Sequence, residues 1–371
     1  MNGAKADVVG SLLRPPELKR AREQHAAGEI SAREFKRIED KAVDEAVRLQ
    51  EEAGLTVVTD GEMRRESFQS QLTEAVEGFG EHTIDAFLWG DWRGGAEVGD
   101  KNVARPETLG VVGKLRRRRH LSVEEFVYLR GQTNVTPKVT LPSPSLFANF
   151  WSPEASGAAY PTLDDFLEDV ARILREEVEE LVRLGATYLQ LDAPQYPLLL
   201  EERTRRFYEE RGWDIDRWLS RGVELDNYVI GDHPAEVTFG FHLCRGNQGS
   251  RWLSSGSYEA IARGIFDNVA AQRLLLEYDD ERSGTFEPLR HIPEEKTVVL
   301  GLVTTKTGRK RETVEELEAR VRDATKYVPV ERLAVSPQCG FSTSVVGNEI
   351  SPEDEVCKLR TLVKTAERIW G

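Results

Sequence analysis

Leu163 to Asp192, LDDFLEDVARILREEVEELVRLGATYLQLD, decides how the rest of the chain is read. Leu163 to Leu184 has the apolar spacing of a long amphipathic helix, and Gly185 stops it. Tyr188 to Leu191 is then a short apolar strand, and an ionisable residue, Asp192, follows directly. A strand apolar on both faces, entered from a helix, belongs to a parallel sheet covered on both sides.

The same order recurs on either side. Upstream, Pro15-Pro16 opens a helical stretch from Glu17 to about Ala27. Ser31 starts a second helix with Ile38, Val43, Ala46, Val47 and Leu49 on one side, and Gly54 ends it. Leu55 to Thr59 is the strand that follows, closed by Asp60-Gly61-Glu62. Downstream, a helix from Tyr258 to Ala271 leads to Leu274–Leu276 and Glu277. The helix Val314 to Ala324 leads to Leu333–Val335 and Ser336-Pro337-Gln338-Cys339. Eight strands are expected, near Val8-Val9, Leu55–Thr59, Lys138–Leu141, Tyr188–Leu191, Val237–Phe241, Leu274–Leu276, Val298–Leu302 and Leu333–Val335. Eight favour a closed (β/α)8, or TIM, barrel over an open sheet. Residues 78–132, rich in Gly, Trp and Arg, fall outside the repeat and are expected to be an insertion after the second strand, and residues 201–233 a smaller helical insertion. No low-complexity linker divides the chain, so residues 1–371 are expected to form one catalytic domain.

Composition narrows the function. With 39% hydrophobic and 31% charged residues the balance is that of a soluble globular protein. No apolar run approaches the roughly 18 residues needed to span a bilayer. Met1 to Gly10 lacks the apolar core of a signal peptide, so a cytoplasmic location and no membrane partner are expected. A net charge of -14 opposes a nucleic-acid partner, because binding phosphates needs a basic surface. The one basic run, Lys114 to His120, is expected to be a solvated face or an anion contact. Three cysteines do not make a disulfide framework.

The strands end in an unusual series: Ser11, Glu62, Ser143, Asp192, His242 with Cys244, Glu277, Lys306 and Cys339. Barrel enzymes build their sites on that face. Any single member could be a solvated loop residue or a helix cap, but packing alone explains the series poorly, since an unpaired buried charge is costly. His242 and Cys244 are two apart on an extended strand and so point to the same side. With Glu277 and Cys339 they offer one nitrogen, two sulfurs and a carboxylate, a tetrahedral zinc set too soft for magnesium or calcium. The bland alternative for His-x-Cys alone is two packed strand residues. Cys357, on the last helix (Glu353 to Ile369), is expected to be a small core residue. The remaining histidines, His25, His82, His120, His233 and His291, have no partner at ligand spacing. Two thiolates make zinc electron-rich, which suits activation of an incoming thiol for attack on an electrophilic carbon more than activation of water. Glu277 is the ligand expected to yield to that sulfur.

At these residues the chain resembles the catalytic half of cobalamin-independent methionine synthase. Val9-Gly10-Ser11, Asp60-Gly61-Glu62 with Arg65, Leu191-Asp192, Phe241-His242-Leu243-Cys244, Leu276-Glu277 and Ser336-Pro337-Gln338-Cys339-Gly340 stand in family order. The resemblance implies a methyltransferase of the 5-methyltetrahydropteroyltriglutamate–homocysteine type, working in methionine biosynthesis with zinc on His242, Cys244, Glu277 and Cys339. It further implies that Ser11, Glu62 and Asp192 hold the amino-acid part of homocysteine. Two carboxylates suit an ammonium group. The runs His242–Asn247 (HLCRGN) and Glu277–Gly284 (EYDDERSG) are closer to short, single-barrel homologues. Three departures bear on the methyl donor, folate or a methylated corrinoid. The segment Lys138 to Phe147 has no tryptophan for pterin stacking, Lys306 stands in place of a histidine, and Ala193 follows Asp192. An epoxyalkane:coenzyme M transferase would keep the zinc thiolate but leave Glu62 and Asp192 without a purpose. A non-catalytic zinc-stabilised barrel would have a closed site with no room for a thiol. Homo-oligomerisation is left open by the sequence.

Overall fold

Helix Leu163–Arg183 forms as expected, started by a capping box in which Thr162 and Asp165 satisfy each other's backbone N–H groups. The computed structural model describes residues 3–82, 93, 109–210, 212–306 and 310–371. Among them, nine strands run in chain order: β1 (Val57–Val58), β2 (Val76–Gly80), β3 (Gly110–Arg117), β4 (Thr136–Pro142), β5 (Tyr188–Asp192), β6 (Thr238–Leu243), β7 (Arg273–Glu277), β8 (Thr297–Val303) and β9 (Leu333–Pro337). Seven form one parallel sheet in the order β1-β4-β5-β6-β7-β8-β9, so each helix-containing crossover leads to the next neighbour. The other two, β2 and β3, make an antiparallel hairpin with a register shift between Glu77 and Phe79.

Register aligns the polar strand ends. Pro142 stands beside Asp192, Asp192 beside His242, and Glu277 beside Gly301. Helices cover the sheet; the faces they bury include Phe166, Val170, Leu174, Val178 and Leu181 of Leu163–Arg183. Apolar side chains from sheet and helices form one large core and a second cluster that includes Val43, Val47, Val58 and Leu359.

The expected first strand is not a regular one. Ala6 makes a single parallel bridge to Val335, with Asp7 N–H donating to Val335 O at 2.9 Å and Val335 N–H to Lys5 O at 2.8 Å. The next N–H, that of Val8, donates to Asp7 Oδ1 instead, at 2.8 Å, which takes it out of the ladder. On the other side the segment meets the chain after β1: Thr59 Oγ1 donates to Gly10 O at 2.6 Å and Leu12 N–H to Gly61 O at 3.1 Å.

Both stretches expected as insertions contribute helices that precede strands of the parallel sheet. Val123–Gln132 lies before β4, and Glu202–Glu209 with Ile215–Ile230 lies before β6. They therefore act as crossovers; the helical character of 201–233 was expected, but its place in a crossover, and the helix Val123–Gln132, were not, because polar segments interrupt the repeat. Part of residues 78–132 lies outside the described residues. The helix expected over Tyr258–Ala271 is shorter, Glu259–Ile265. Cys357 corrects another expectation: it is exposed, because the last helix, Pro352–Trp370, buries Glu355, Lys358, Leu359, Leu362 and Val363 on its opposite side. The basic run is neutralised locally. Arg116 and Arg118 pair with Glu77, Arg117 with Glu176, and His120 with Glu177. Among the described residues no helix is long and apolar enough to cross a membrane.

Candidate metal and thiol site

The end of β6 turns His242 and Cys244 to one side, as strand alternation requires. Cys339, just beyond β9, brings its sulfur to 3.4 Å from Cys244 Sγ, and both cysteines are free thiols. Glu277 ends β7. The ligand-type atoms of His242, Cys244, Glu277 and Cys339 lie within 4.8 Å of one another, and all four residues are buried.

The surroundings of each group define what it can do. His242 Nδ1 faces Leu275 O at 3.3 Å, while Nε2 is buried with no partner. A ring whose Nδ1–H is spoken for presents Nε2 as a lone-pair donor, the usual state of a metal ligand. Gly246 N–H donates to Cys244 Sγ at 3.3 Å. Gly246 adopts φ +88° and packs against the Leu253 backbone where a Cβ would collide, so this turn requires glycine. The hydrogen bond from Cys244 and the adjacent His242 hold the Cys339 thiol down to about 6 against the effect of burial. Cys244 is pushed up in return. Burial works to lower the His242 imidazole, but the negative groups around it, Cys339 first, raise it. The donor set and the orphaned Nε2 therefore fit a zinc ion.

Beside this cluster stand the three residues expected to hold an amino acid. Glu62 has φ +55°, a backbone state rare outside glycine. The turn is held by Glu62 N–H donating to Asp60 Oδ1 at 2.9 Å. Its Oε1 accepts Thr140 Oγ1 at 2.8 Å and lies 3.4 Å from Arg65, which is itself paired to Glu125 at 2.8 Å. Glu62 Oε2 is buried and has no partner. Asp192 Oδ1 accepts Gln190 Nε2 at 2.7 Å, and burial, aided by the charge of Glu62, pushes its carboxyl up to about 7. Ser11 Oγ accepts Ser342 N–H at 3.3 Å, and a Cβ at Gly340 would collide with it. All three line one cavity of about 440 Å³ together with His242, Cys244 and Cys339.

Two predicted residues sit elsewhere. Ser143 is buried outside the cavity lining, donating to Asp226 Oδ1 at 2.7 Å. Lys306 is not among the lining residues; its Nζ stands 3.8 Å from Glu277 Oε2. Missed by the sequence reading were Arg282, which donates to Glu277 Oε2 at 3.0 Å, and Arg245, whose N–H donates to Glu277 Oε1 at 2.8 Å. Arg245 and Arg282 lie within the two runs quoted above, but no local spacing rule assigns them to a carboxylate.

Comparison with known proteins agrees with this geometry. Residues 5–367 match the family described as the catalytic domain of cobalamin-independent synthase. The Bacillus subtilis protein YxjH is 34% identical over 368 residues, 99% of this chain and 94% of that protein. The methionine synthase of Pyrococcus abyssi is 26% identical, over 90% of this chain and 85% of that protein. Among solved structures, the putative vitamin-B12 independent methionine synthase of Listeria monocytogenes superposes with a TM-score of 0.73. It is 28% identical and covers 99% of this chain and 98% of its own.

Proposed function

We propose, since this chain belongs to the cobalamin-independent methionine synthase family of methyltransferases, that it methylates homocysteine on a zinc site formed by His242, Cys244, Glu277 and Cys339. The observation that carries the proposal is one cavity lined by His242, Cys244 and Cys339 together with the carboxylates of Glu62 and Asp192, with Glu277 within 4.8 Å of the other three ligand-type groups. Zinc bound there supplies Lewis acidity that keeps a thiol deprotonated at neutral pH. The chain does the rest. Glu62 Oε2, which lacks a partner, and Asp192 take the substrate ammonium, and the field of that ammonium returns Asp192 to its ionised form. Ser11 and the backbone after Cys339 face the substrate carboxylate. In the transfer the thiol proton passes to solvent, the thiolate sulfur forms a bond to the methyl carbon, and the bond between that carbon and its donor breaks with its electron pair remaining on the donor.

The position of Lys306 favours a donor whose leaving group needs no proton. A folate nitrogen must be protonated as it leaves, and the acid must reach the pterin. Lys306 Nζ instead packs against Glu277. A methylated corrinoid is therefore the preferred donor. An anionic sulfonate thiol, as in the coenzyme M transferases, would face Glu62 and Asp192 with like charge. The bridge from Ala6 to Val335 and the contacts of Gly10 and Leu12 with the chain after β1 support closure of the sheet into a (β/α)8 barrel, one domain over 1–371.

The test is zinc content and turnover. The purified chain should carry about one zinc, and Cys339→Ser should lose it while Cys357→Ser keeps it. With homocysteine, a methylated corrinoid should be used faster than free methyltetrahydrofolate. Full zinc retention in Cys339→Ser would overturn the metal site; efficient folate turnover would overturn the donor assignment.

A further inference from the structure

Glu277 differs from the other three candidate ligands in what holds it from behind. Its Oε1 accepts the Arg245 N–H at 2.8 Å, and its Oε2 accepts Arg282 Nη2 at 3.0 Å. Lys306 Nζ stands 3.8 Å from the same Oε2. Arg282 is itself fixed by Asp279, whose Oδ1 accepts Nη2 at 2.8 Å, and by Asp280. The Glu277 side chain is 0% exposed, that of Arg282 6% and that of Lys306 8%. Lys306 Nζ has no hydrogen-bond partner, an expensive state for a buried ammonium.

Contacts behind a ligand tune its strength as a donor. His242 has a carbonyl behind it, which increases ring basicity, and Cys244 has one backbone N–H. Glu277 alone faces two cations, which compete with a metal for its oxygen lone pairs. The same cations would stabilise its carboxylate if it let go, a charge that would otherwise be buried and unpaired.

We infer that Arg282 and Lys306 form a receiving site that takes the Glu277 carboxylate when it yields its place to the incoming thiol. The inference rests on the zinc reading above. Arg282 and Lys306 are positioning residues, acting through Glu277. On this view the run Glu277–Gly284 (EYDDERSG) carries both the ligand and the group that competes for it. Asp279 and Asp280 orient Arg282 so that it reaches Oε2.

The experiment compares the full-length wild type with Arg282→Gln, Arg282→Lys and Lys306→Met. Zinc affinity is measured against a competing chelator, and zinc K-edge absorption is recorded with and without homocysteine. Removing the cation should strengthen Glu277 as a ligand. Arg282→Gln is expected to bind zinc about 10-fold more tightly, at the lower end of what outer contacts of a ligand contribute, and to gain the homocysteine sulfur only at about 10-fold higher thiol concentration. Lys306→Met should move both quantities the same way, by less. Arg282→Lys should return towards wild type. If Arg282 merely props Glu277 in place, Arg282→Gln will bind zinc more weakly, and the inference is overturned; unchanged affinity and unchanged sulfur uptake overturn it as well. If Arg282→Gln does not fold, Lys306→Met decides by the same two readouts. A wild type that takes up no zinc overturns the metal reading itself, and is distinguishable because it fails before any variant is compared.

Discussion

The two ends of the parallel sheet both bury charge, and they treat it in opposite ways. At the N-terminal end, Asp7 sits between Lys138, at 3.0 Å, and Arg273, at 3.2 Å, and accepts Tyr188 Oη at 2.5 Å. Burial works to raise the Asp7 carboxyl, but the two cations hold it below the usual range. Lys138 also donates to Val8 O. At the C-terminal end, His242 Nε2 and Glu62 Oε2 are buried with no hydrogen-bond partner, and Asp192 is pushed up to about 7. One end closes the fold with charges that satisfy one another; the other leaves buried polar atoms without a protein partner. The same strands serve both, because a parallel sheet gathers all its N-terminal ends on one side and all its C-terminal ends on the other.

The contrast can be broken most severely at the N-terminal end. Asp7→Ala leaves Lys138 and Arg273 buried without their shared counter-charge, and should cost about 3–5 kcal/mol of stability. Zinc stoichiometry of the folded fraction should not change. Denaturant unfolding with a metal assay on the same sample checks both, and a loss under about 1 kcal/mol would mean that the cluster is not the closure described here.

Asp226 sharpens the comparison, since it lies on the site's side of the molecule but has hydroxyl partners. It accepts Ser143 Oγ at 2.7 Å and Tyr196 Oη at 2.6 Å, and burial, which these bonds only partly offset, pushes its carboxyl up to about 7. A folded-state value above the unfolded one means the folded chain binds this proton more tightly. The resulting stability is complete below about pH 4 and is lost as pH rises through 7. The stability advantage of wild type over Asp226→Asn should therefore shrink by roughly 2–4 kcal/mol between pH 4 and pH 8. Parallel pH profiles for the two proteins would show Asp226 to be ionised throughout, and the assignment wrong.

A smaller effect is expected in the cavity itself. Asp192→Asn should weaken homocysteine binding by roughly 1.5–3 kcal/mol, the range for a hydrogen bond to a charged group, with zinc content unchanged. Calorimetric titration reads it directly; equal affinity would remove Asp192 from the ammonium site.

Much of this was legible before the structure. The helix–glycine–strand order, the parallel sheet and the identities of the four zinc-type ligands all follow from local patterns, because helix and strand periods are set by neighbouring residues. Strand alternation alone places His242 and Cys244 on one side. What the chain could not reveal locally was which distant groups meet. Cys244 and Cys339 are 95 residues apart and touch. Lys306 proved to face Glu277 and not the cavity lining. The crossover helix Val123–Gln132 was hidden behind a polar segment that broke the repeat, and the helical stretch expected within 201–233 proved to be a crossover rather than an insertion. Cys357 turned outward because the helix rotation that buries Leu359 and Leu362 leaves it on the far side. The sequence by itself determined the elements and the chemistry at their ends. Only tertiary packing decided which buried charges are neutralised and which are left without a protein partner, because that depends on through-space distances that no spacing along the chain encodes.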